Sequence, residues 1–351
     1  MKIGNNYDFI RLIAASIVIV GHAYPINGLI APEILGTPLH VYGVIIFFSI
    51  SGYLIAQSWM NDPDPVRFFM KRGLRIFPAL IVVVLLSAFV LGPLVSTLSV
   101  SNYFSNGSTY FYLRSMGLYI IYYLPGVFEH APIANATNGS LWSLPAEFFM
   151  YIVTPTLMVL AGRGKSIAFA LLTVVAACAA IYIQIGYTGP RLVVYATEVR
   201  AAVSMAAYFA MGAFLAVCKK VPLRTEYAVF AFLAYVLAIV LPTGVYRPYI
   251  AATVTSVTIP YIFITMGQHS TRLLKSAGRY GDFSYGLYLY AFPIQQVLTL
   301  KLPHMPLVTH IGLAFILTIP CAALSWHLIE KKALTFKPRE SSRLSPASAI
   351  R

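Results

Sequence analysis

Asp8, Arg11 and His22 stand on one otherwise apolar stretch, residues 7–24. An α-helix turns by about 100° per residue, so the chain from Arg11 to His22 returns to nearly the same face, and Asp8 shares it. At about 1.5 Å of rise per residue, Arg11 and His22 lie roughly 16 Å apart along the axis. One helix thus carries a guanidinium near one membrane face and an imidazole towards the other. Charge inside a bilayer is expensive, so an intramembrane ionisable group marks a candidate functional site. An imidazole ordinarily titrates near pH 6.5 and serves either as a general base or as a transient acyl carrier. Taken singly, a snorkelling arginine and an interfacial histidine need no function; the shared face favours one.

Three other stretches carry similar possibilities. Arg72 and Arg75 are three residues apart, hence neighbours on one helical face. Paired guanidiniums at the mouth of a span suit a phosphate-bearing ligand, and they equally suit anionic lipid. Ser140-Leu-Trp142-Ser143-Leu-Pro145-Ala-Glu147 opens a later span. Ser143 is placed to cap that helix, and Glu147, at about the depth of His22, either complements the helix dipole from the first turn or pairs with His22 as an acid or an orienting group. Gly281-Asp282-Phe-Ser284-Tyr285-Gly-Leu-Tyr288 opens another span, with Asp282 or Ser284 as its cap. Tyr285, Tyr288, Gln295 and Gln296 follow on it as polar lining or as interhelical hydrogen-bonders. Packing accounts for Ser49, Ser51 and Gly52, since small residues let membrane helices approach.

The elements that must position these residues are membrane helices. The chain has 351 residues, 59% of them hydrophobic and 10% charged, against roughly a quarter charged in soluble domains. Runs long enough to span fall at about 7–24, 38–58, 75–98, 141–160, 166–186, 200–217, 226–242, 248–267, 283–302 and 307–329, by the ~20-residue requirement of a bilayer. This predicts an all-α polytopic membrane protein of about ten transmembrane helices. Residues 110–125 form a shorter, tyrosine-rich run that reads as part of a long loop rather than a span. The net charge of +14 does not point to nucleic acid, because the basic residues fall in short clusters between apolar runs. Those clusters alternate strictly: Arg67 to Arg75, Arg163 and Lys165, Lys219 to Arg224, Arg272 to Arg279, and Lys331 onwards lie on one side. The other side holds Arg114, Arg191, Arg200, Arg247 and Lys301. The positive-inside rule then places both termini in the cytoplasm. The first span reads as retained rather than as a cleaved leader, because charge interrupts it. Cys178, Cys218 and Cys321 show neither metal-ligand nor disulfide spacing. Residues 1–335 read as one membrane-embedded domain and 336–351 as a short disordered cytoplasmic tail.

Six of these pieces, in order, resemble the acyltransferase-3 family of integral-membrane acyltransferases. They are Asp8-Phe-Ile-Arg11 with Arg-x10-His ending at His22, Phe47 to Leu54, Arg72-x-x-Arg75, Trp142-Ser-Leu-Pro-Ala-Glu147, Ser284-Tyr-Gly-Leu-Tyr288, and Trp326 to Glu330. The resemblance implies ten spans in a bacterial inner membrane, acetyl-CoA or another acyl-CoA as a cytoplasmic donor, and an extracytoplasmic glycan or lipid-linked sugar as acceptor. It implies functional roles for Arg11, His22, Arg72, Arg75 and Glu147. The expected activity is acyl, above all O-acetyl, transfer: His22, Glu147 and Arg11 as catalytic residues, Arg72 and Arg75 on the CoA phosphates, and Trp142, Tyr285 and Tyr288 on substrate. No metal and no permanently bound cofactor are expected, since a thioester is already activated. Two departures stand out. Ala291 replaces the histidine that many members carry after Tyr-Leu-Tyr, and no esterase-like domain follows the last span. The rival reading from the same intramembrane charges is a transporter or flippase of acyl groups, small solutes or lipid-linked glycans; the sequence shows none of the halved symmetry common in transporters.

Overall fold

The computed structural model describes residues 6–185, 189–241, 244–271, 274–279 and 281–338. Ten long helices carry the fold: α1 Tyr7–Ile26, α2 Leu39–Asn61, α3 Pro65–Leu86, α4 Ser143–Ala161, α5 Lys165–Ile185, α6 Val199–Val217, α7 Thr225–Val240, α8 Arg247–Gln268, α9 Ser284–Lys301 and α10 Leu307–Ser325. Among the described residues, seven helical runs are long and apolar enough to cross a bilayer. The difference from ten has identifiable causes. Residues 139–183 form one continuous apolar run that contains both α4 and α5. α7 has only 16 residues. In α9 the tyrosines and glutamines dilute the hydropathy.

Strands are almost absent, but two short hairpins were not legible as strands. β1 (Glu33–Ile34) pairs with β2 (Thr37–Pro38), and β3 (Val193–Val194) with β4 (Thr197–Glu198), both antiparallel. Their two-residue loops place Leu35 and Gly36, and then Tyr195 and Ala196, at positive φ, which matches the twist of a tight hairpin. Each hairpin leads straight into a helix, α2 or α6, and these two helices pack tightly together. The contact is made by glycines: a Cβ on Gly52 would strike the Phe209 carbonyl, and one on Gly212 the Ser49 carbonyl. Backbones approach this closely in a bilayer because dispersion, not water expulsion, drives helix association there. Ser49 is buried and its hydroxyl donates to the Ile45 carbonyl at 2.7 Å, so packing does account for Ser49 and Gly52.

Helix α3 begins with Asp64 as its cap, accepting the Arg67 N–H at 2.8 Å, and Pro65 in the first turn. It continues through a wider turn at Ser87–Leu91 to Val95. Residues 99–139 hold no helix longer than six residues, so nothing there is long enough to span. Helix α10 likewise passes into a wider turn at Trp326–Glu330 before Lys331–Leu334. Of the tail, residues 336–338 are described; 339–351 lie outside the described residues.

The helices give the bundle two ends. At one, called here the arginine end, lie the start of α1, the α2–α3 connection, the start of α9 and the close of α10. The other, the hairpin end, carries both hairpins and residues 99–139. Hydrogen bonds sew the arginine end together. Asn6 N–H donates to the Gly267 carbonyl at 3.0 Å, and its amide donates to Thr271 Oγ1 at 2.8 Å.

Candidate active site

A cavity of about 350 Å³ opens among α1, α2, α3, α4, α9 and the turn after α10. Arg11, Arg72, Arg75, Glu147, Tyr285 and Tyr288, singled out from sequence, all line it. So do Lys71 and Lys337, which makes five basic side chains against three acidic ones, Asp8, Glu147 and Asp282. Such an excess in a concave, partly dry site favours an anion.

The basic side chains are not equivalent. Asp282, just before α9, organises two of them. Its Oδ2 accepts from Arg75 at 2.5 Å and from Arg11 at 3.4 Å, while its Oδ1 accepts the Ser284 N–H at 3.3 Å; the N-cap of α9 is Phe283, not Asp282 or Ser284 as the sequence suggests. Burial pushes the Asp282 carboxyl up, but Arg75 and then Arg11 outweigh it and hold it at about 2. Arg75 also faces Glu330 Oε2 at 3.5 Å and lies over the Tyr285 ring at 5.7 Å. Glu330 is buried and accepts from Ser325 at 3.0 Å. Arg11 has a second partner in Asp8 at 3.7 Å. Arg72 differs. Its Nη2 donates to Ser58 at 3.1 Å and its guanidinium sits 5.7 Å from the Phe68 ring, but its buried Nε meets no acceptor. Sequence spacing suggests an equal pair; the structure makes Arg75 the centre of an ion-pair network and leaves the buried Nε of Arg72, a cavity-lining residue, without an acceptor. Lys71 is drawn to Asp62 at 2.9 Å, and Arg67 and Lys71 together hold that carboxyl well below the usual carboxylate range.

Deeper in the cavity, Glu147 accepts from Ser51 in a very short hydrogen bond and from Tyr151 at 2.7 Å. Ser51 therefore belongs to the site, contrary to the packing role expected for it. Tyr288 donates to the Ser140 carbonyl in another very short bond, so Ser143, 2.5 Å away, donates to the Tyr288 hydroxyl. Ser143 thus ties α4 to α9 instead of capping its own helix, and a helical turn at Gly139–Trp142 leads into α4.

His22 lies elsewhere. It is buried near the far end of α1, stacked on His40 at 4.6 Å between centroids and met edge-on by Phe292 at 5.3 Å. It does not line the arginine cavity, and no hydrogen bond joins it to Glu147. The pairing anticipated from their matching depth is replaced by the Ser51–Glu147–Tyr151 cluster. His40, given no role from sequence, is the neighbour His22 has. Gly21 admits it: a Cβ there would strike the His40 backbone. Trp142 also stands apart from the arginine cavity and lines a second one, of about 720 Å³, at the hairpin end. Among the described residues no group of three or more His, Cys, Asp or Glu side chains is placed to hold a metal.

Sequence reasoning passed over Asp282, Glu330, Ser51 and His40 as site residues. The first two had a signal, being two of only eleven acidic residues in the chain. Their role depends on Arg75 reaching them from a different helix, which no local spacing reveals.

The acyltransferase domain of the acyltransferase-3 family matches residues 5–327. An O-acetyl transferase of Shigella phage Sf6 is 32% identical over 98% of this chain and 99% of its own length. Nodulation protein 10 of Rhizobium leguminosarum bv. viciae is 36% identical over 49% of each chain. No solved structure matches. The arginine cavity, with its family motifs gathered from five separate helices, and these relatives agree: the chain belongs to the acyltransferase-3 family and is an acyltransferase with membrane-spanning helices.

Proposed function

We propose that this protein is an integral-membrane O-acetyltransferase with ten crossings and both termini in the cytoplasm of a bacterial inner membrane. On this reading acetyl-CoA binds from the arginine end, and the acyl group passes to a hydroxyl of an envelope glycan or lipid-linked sugar at the hairpin end. The observation that carries it is Arg72: a buried guanidinium with an unpartnered Nε beside a cavity in which basic side chains outnumber acidic ones. A guanidinium is a strong phosphate donor, and its remaining donor capacity suits the CoA phosphates. Arg75 and Arg11, fixed by Asp282, supply positive field and shape. The thioester arm extends inward past Arg11 towards Ser51, Glu147, Tyr285 and Tyr288, whose aromatic and hydroxyl groups line the passage.

His22 takes the proton from the acceptor hydroxyl as its oxygen attacks the thioester carbonyl. The new C–O bond forms, the C–S bond breaks, and the proton goes to the departing CoA sulfur. Transient acylation of His22 reaches the same products in two steps. Stacking on His40 and the edge of Phe292 fix the imidazole plane. No metal or resident cofactor is required by this chemistry.

Acetyl-CoA and acetyl-pantetheine discriminate the reading, because only the former carries nucleotide phosphates. The purified protein should bind acetyl-CoA at least about tenfold more tightly, the range of one charge-assisted hydrogen bond, and Arg72→Ala should erase most of that difference. Equal binding of the two by the native protein would remove the phosphate site.

A further inference from the structure

The arginine cavity stops one helical turn short of the rings around His22. Its lining on α2 reaches from Ile55 to Val44, and on α9 from Ser284 to Tyr288. His40, which stacks on His22, lies four residues beyond Val44 on α2. Phe292, which meets His22 edge-on, lies four residues beyond Tyr288 on α9. At about 1.5 Å of rise per residue, each gap is about 6 Å along its helix.

The helical period lines these residues up. On α2, Ser51, Phe47, Val44 and His40 share one face; on α9, Tyr285, Tyr288 and Phe292 do. Both faces therefore run from the cavity to the histidine, and one pair of rings stands across them. Phe47 meets Tyr288 edge to face at 5.9 Å between centroids. The seam between α1 and α2 is shut beside them: a Cβ on Gly43 would strike the Ala14 carbonyl and the Val18 side chain.

The two rings are held differently. Tyr288 donates to the Ser140 carbonyl and accepts from Ser143, so hydrogen bonds fix it from two sides. Phe47 has no hydrogen-bonding atom, and packing alone holds it. It lines the cavity and also packs against the apolar cluster that contains Ala15, Ile19, Leu287 and Ala291. The space that its ring fills is thus apolar, and a smaller side chain there would extend the cavity among aliphatic groups. An alkyl chain suits such an extension.

We propose that Phe47 sets the size of the acyl group this protein accepts. Its ring ends the inner part of the arginine cavity, so that short acyl groups fit and chains of four carbons or more do not. The assignment rests on the donor reading of that cavity, and it is tested by binding alone, with no acceptor present.

Equilibrium binding of CoA, acetyl-CoA and butyryl-CoA is measured on the purified native protein, Phe47→Ala and Phe47→Leu. The native protein should prefer acetyl-CoA to butyryl-CoA by about tenfold or more, since forcing methylenes into a filled site is costly. Two further methylenes buried in the space left by the ring should favour butyryl-CoA by about 15-fold. Phe47→Ala should therefore shift the preference towards butyryl-CoA by at least tenfold, and Phe47→Leu should shift it the same way by less. Phe47→Leu stays apolar and keeps much of the volume, so it decides the matter if the alanine variant does not fold. Equal native binding of the two thioesters would overturn the proposal. So would an unchanged preference in the variants while CoA still binds and Arg72→Ala still weakens it; the donor site would then stand without a role for Phe47. A native protein that binds neither CoA nor its thioesters would refute the donor reading and this assignment with it.

Discussion

Replacing Arg72 and Arg75 separately should give two different kinds of defect. Arg75 neutralises Asp282 at 2.5 Å and faces buried Glu330 at 3.5 Å. Arg75→Ala leaves buried Glu330 without a cation and Asp282 with Arg11 alone, and breaking a buried pair from one side costs about 3–5 kcal/mol. Arg72 has only the Ser58 bond and the Phe68 ring to lose, about 1–2 kcal/mol together. Its loss should instead appear in donor binding. A charge-assisted hydrogen bond contributes about 1.5–3 kcal/mol, and 1.4 kcal/mol is tenfold, so Arg72→Ala should weaken acetyl-CoA binding by about 10- to 150-fold. The assay is thermal unfolding of each purified variant beside equilibrium binding of labelled acetyl-CoA. Arg75→Ala should melt well below the native protein, and Asp282→Asn in the same chain should recover part of the loss by removing one of the two carboxylates. Arg72→Ala should melt close to native and bind poorly. If Arg75→Ala melts like the native protein, or Arg72→Ala binds acetyl-CoA normally, the division of labour drawn from the geometry is wrong.

His22→Asn keeps much of the size and some hydrogen bonding of the imidazole but cannot move a proton near neutral pH. It should bind acetyl-CoA normally while transfer falls by about 10²-fold or more, and near-normal transfer would remove the catalytic assignment. Lys337 lines the arginine cavity, and burial, then Arg72, Arg75, Lys71 and Arg11, lowers its ammonium from the usual lysine range to about 8. Its charge is therefore present below pH 8 and lost above, while a CoA monophosphate, with a second pKa of about 6, stays dianionic throughout. Affinity for acetyl-CoA should fall as pH rises from about 7 to 9, and Lys337→Gln should flatten that profile; a native profile that is already flat would exclude Lys337 from the donor site. Cysteines introduced at Ser108 and Ser270 should react with impermeant reagent from opposite sides of the membrane, and same-side labelling would break the ten-crossing arrangement.

Much of the arginine cavity was readable because helical spacing is rigid. Arg11 on α1, Arg72 and Arg75 on α3, and Tyr285 and Tyr288 on α9 each lie on a face that the 3.6-residue period picks out, and the cavity collects all of them. Partnerships between helices were not readable. Asp282 and Arg75 are 207 residues apart in sequence. Nothing local announces that one carboxylate takes two guanidiniums, or that Glu147 is held by Ser51 and Tyr151. Matching depth along the membrane normal put Glu147 beside His22, but depth says nothing about rotation around the bundle. His40 was passed over for a related reason. It opens α2 directly after a hairpin too short to show a strand pattern, and its neighbour on α1 becomes visible only once Gly21 has let the two backbones meet.

On the proposed reading an acyl group passes from a donor at one end of the bundle to a hydroxyl at the other. Proteoliposomes with the arginine end outward, loaded inside with a lipid-linked glycan and given [¹⁴C]acetyl-CoA outside, test it directly. A base-labile acetyl ester should form on the enclosed glycan. It should require acetyl-CoA on the arginine side, fall with His22→Asn, and be accompanied by CoA release in equal amount. Movement of unmodified glycan across the membrane without donor, or CoA release with no ester on the glycan, would contradict it.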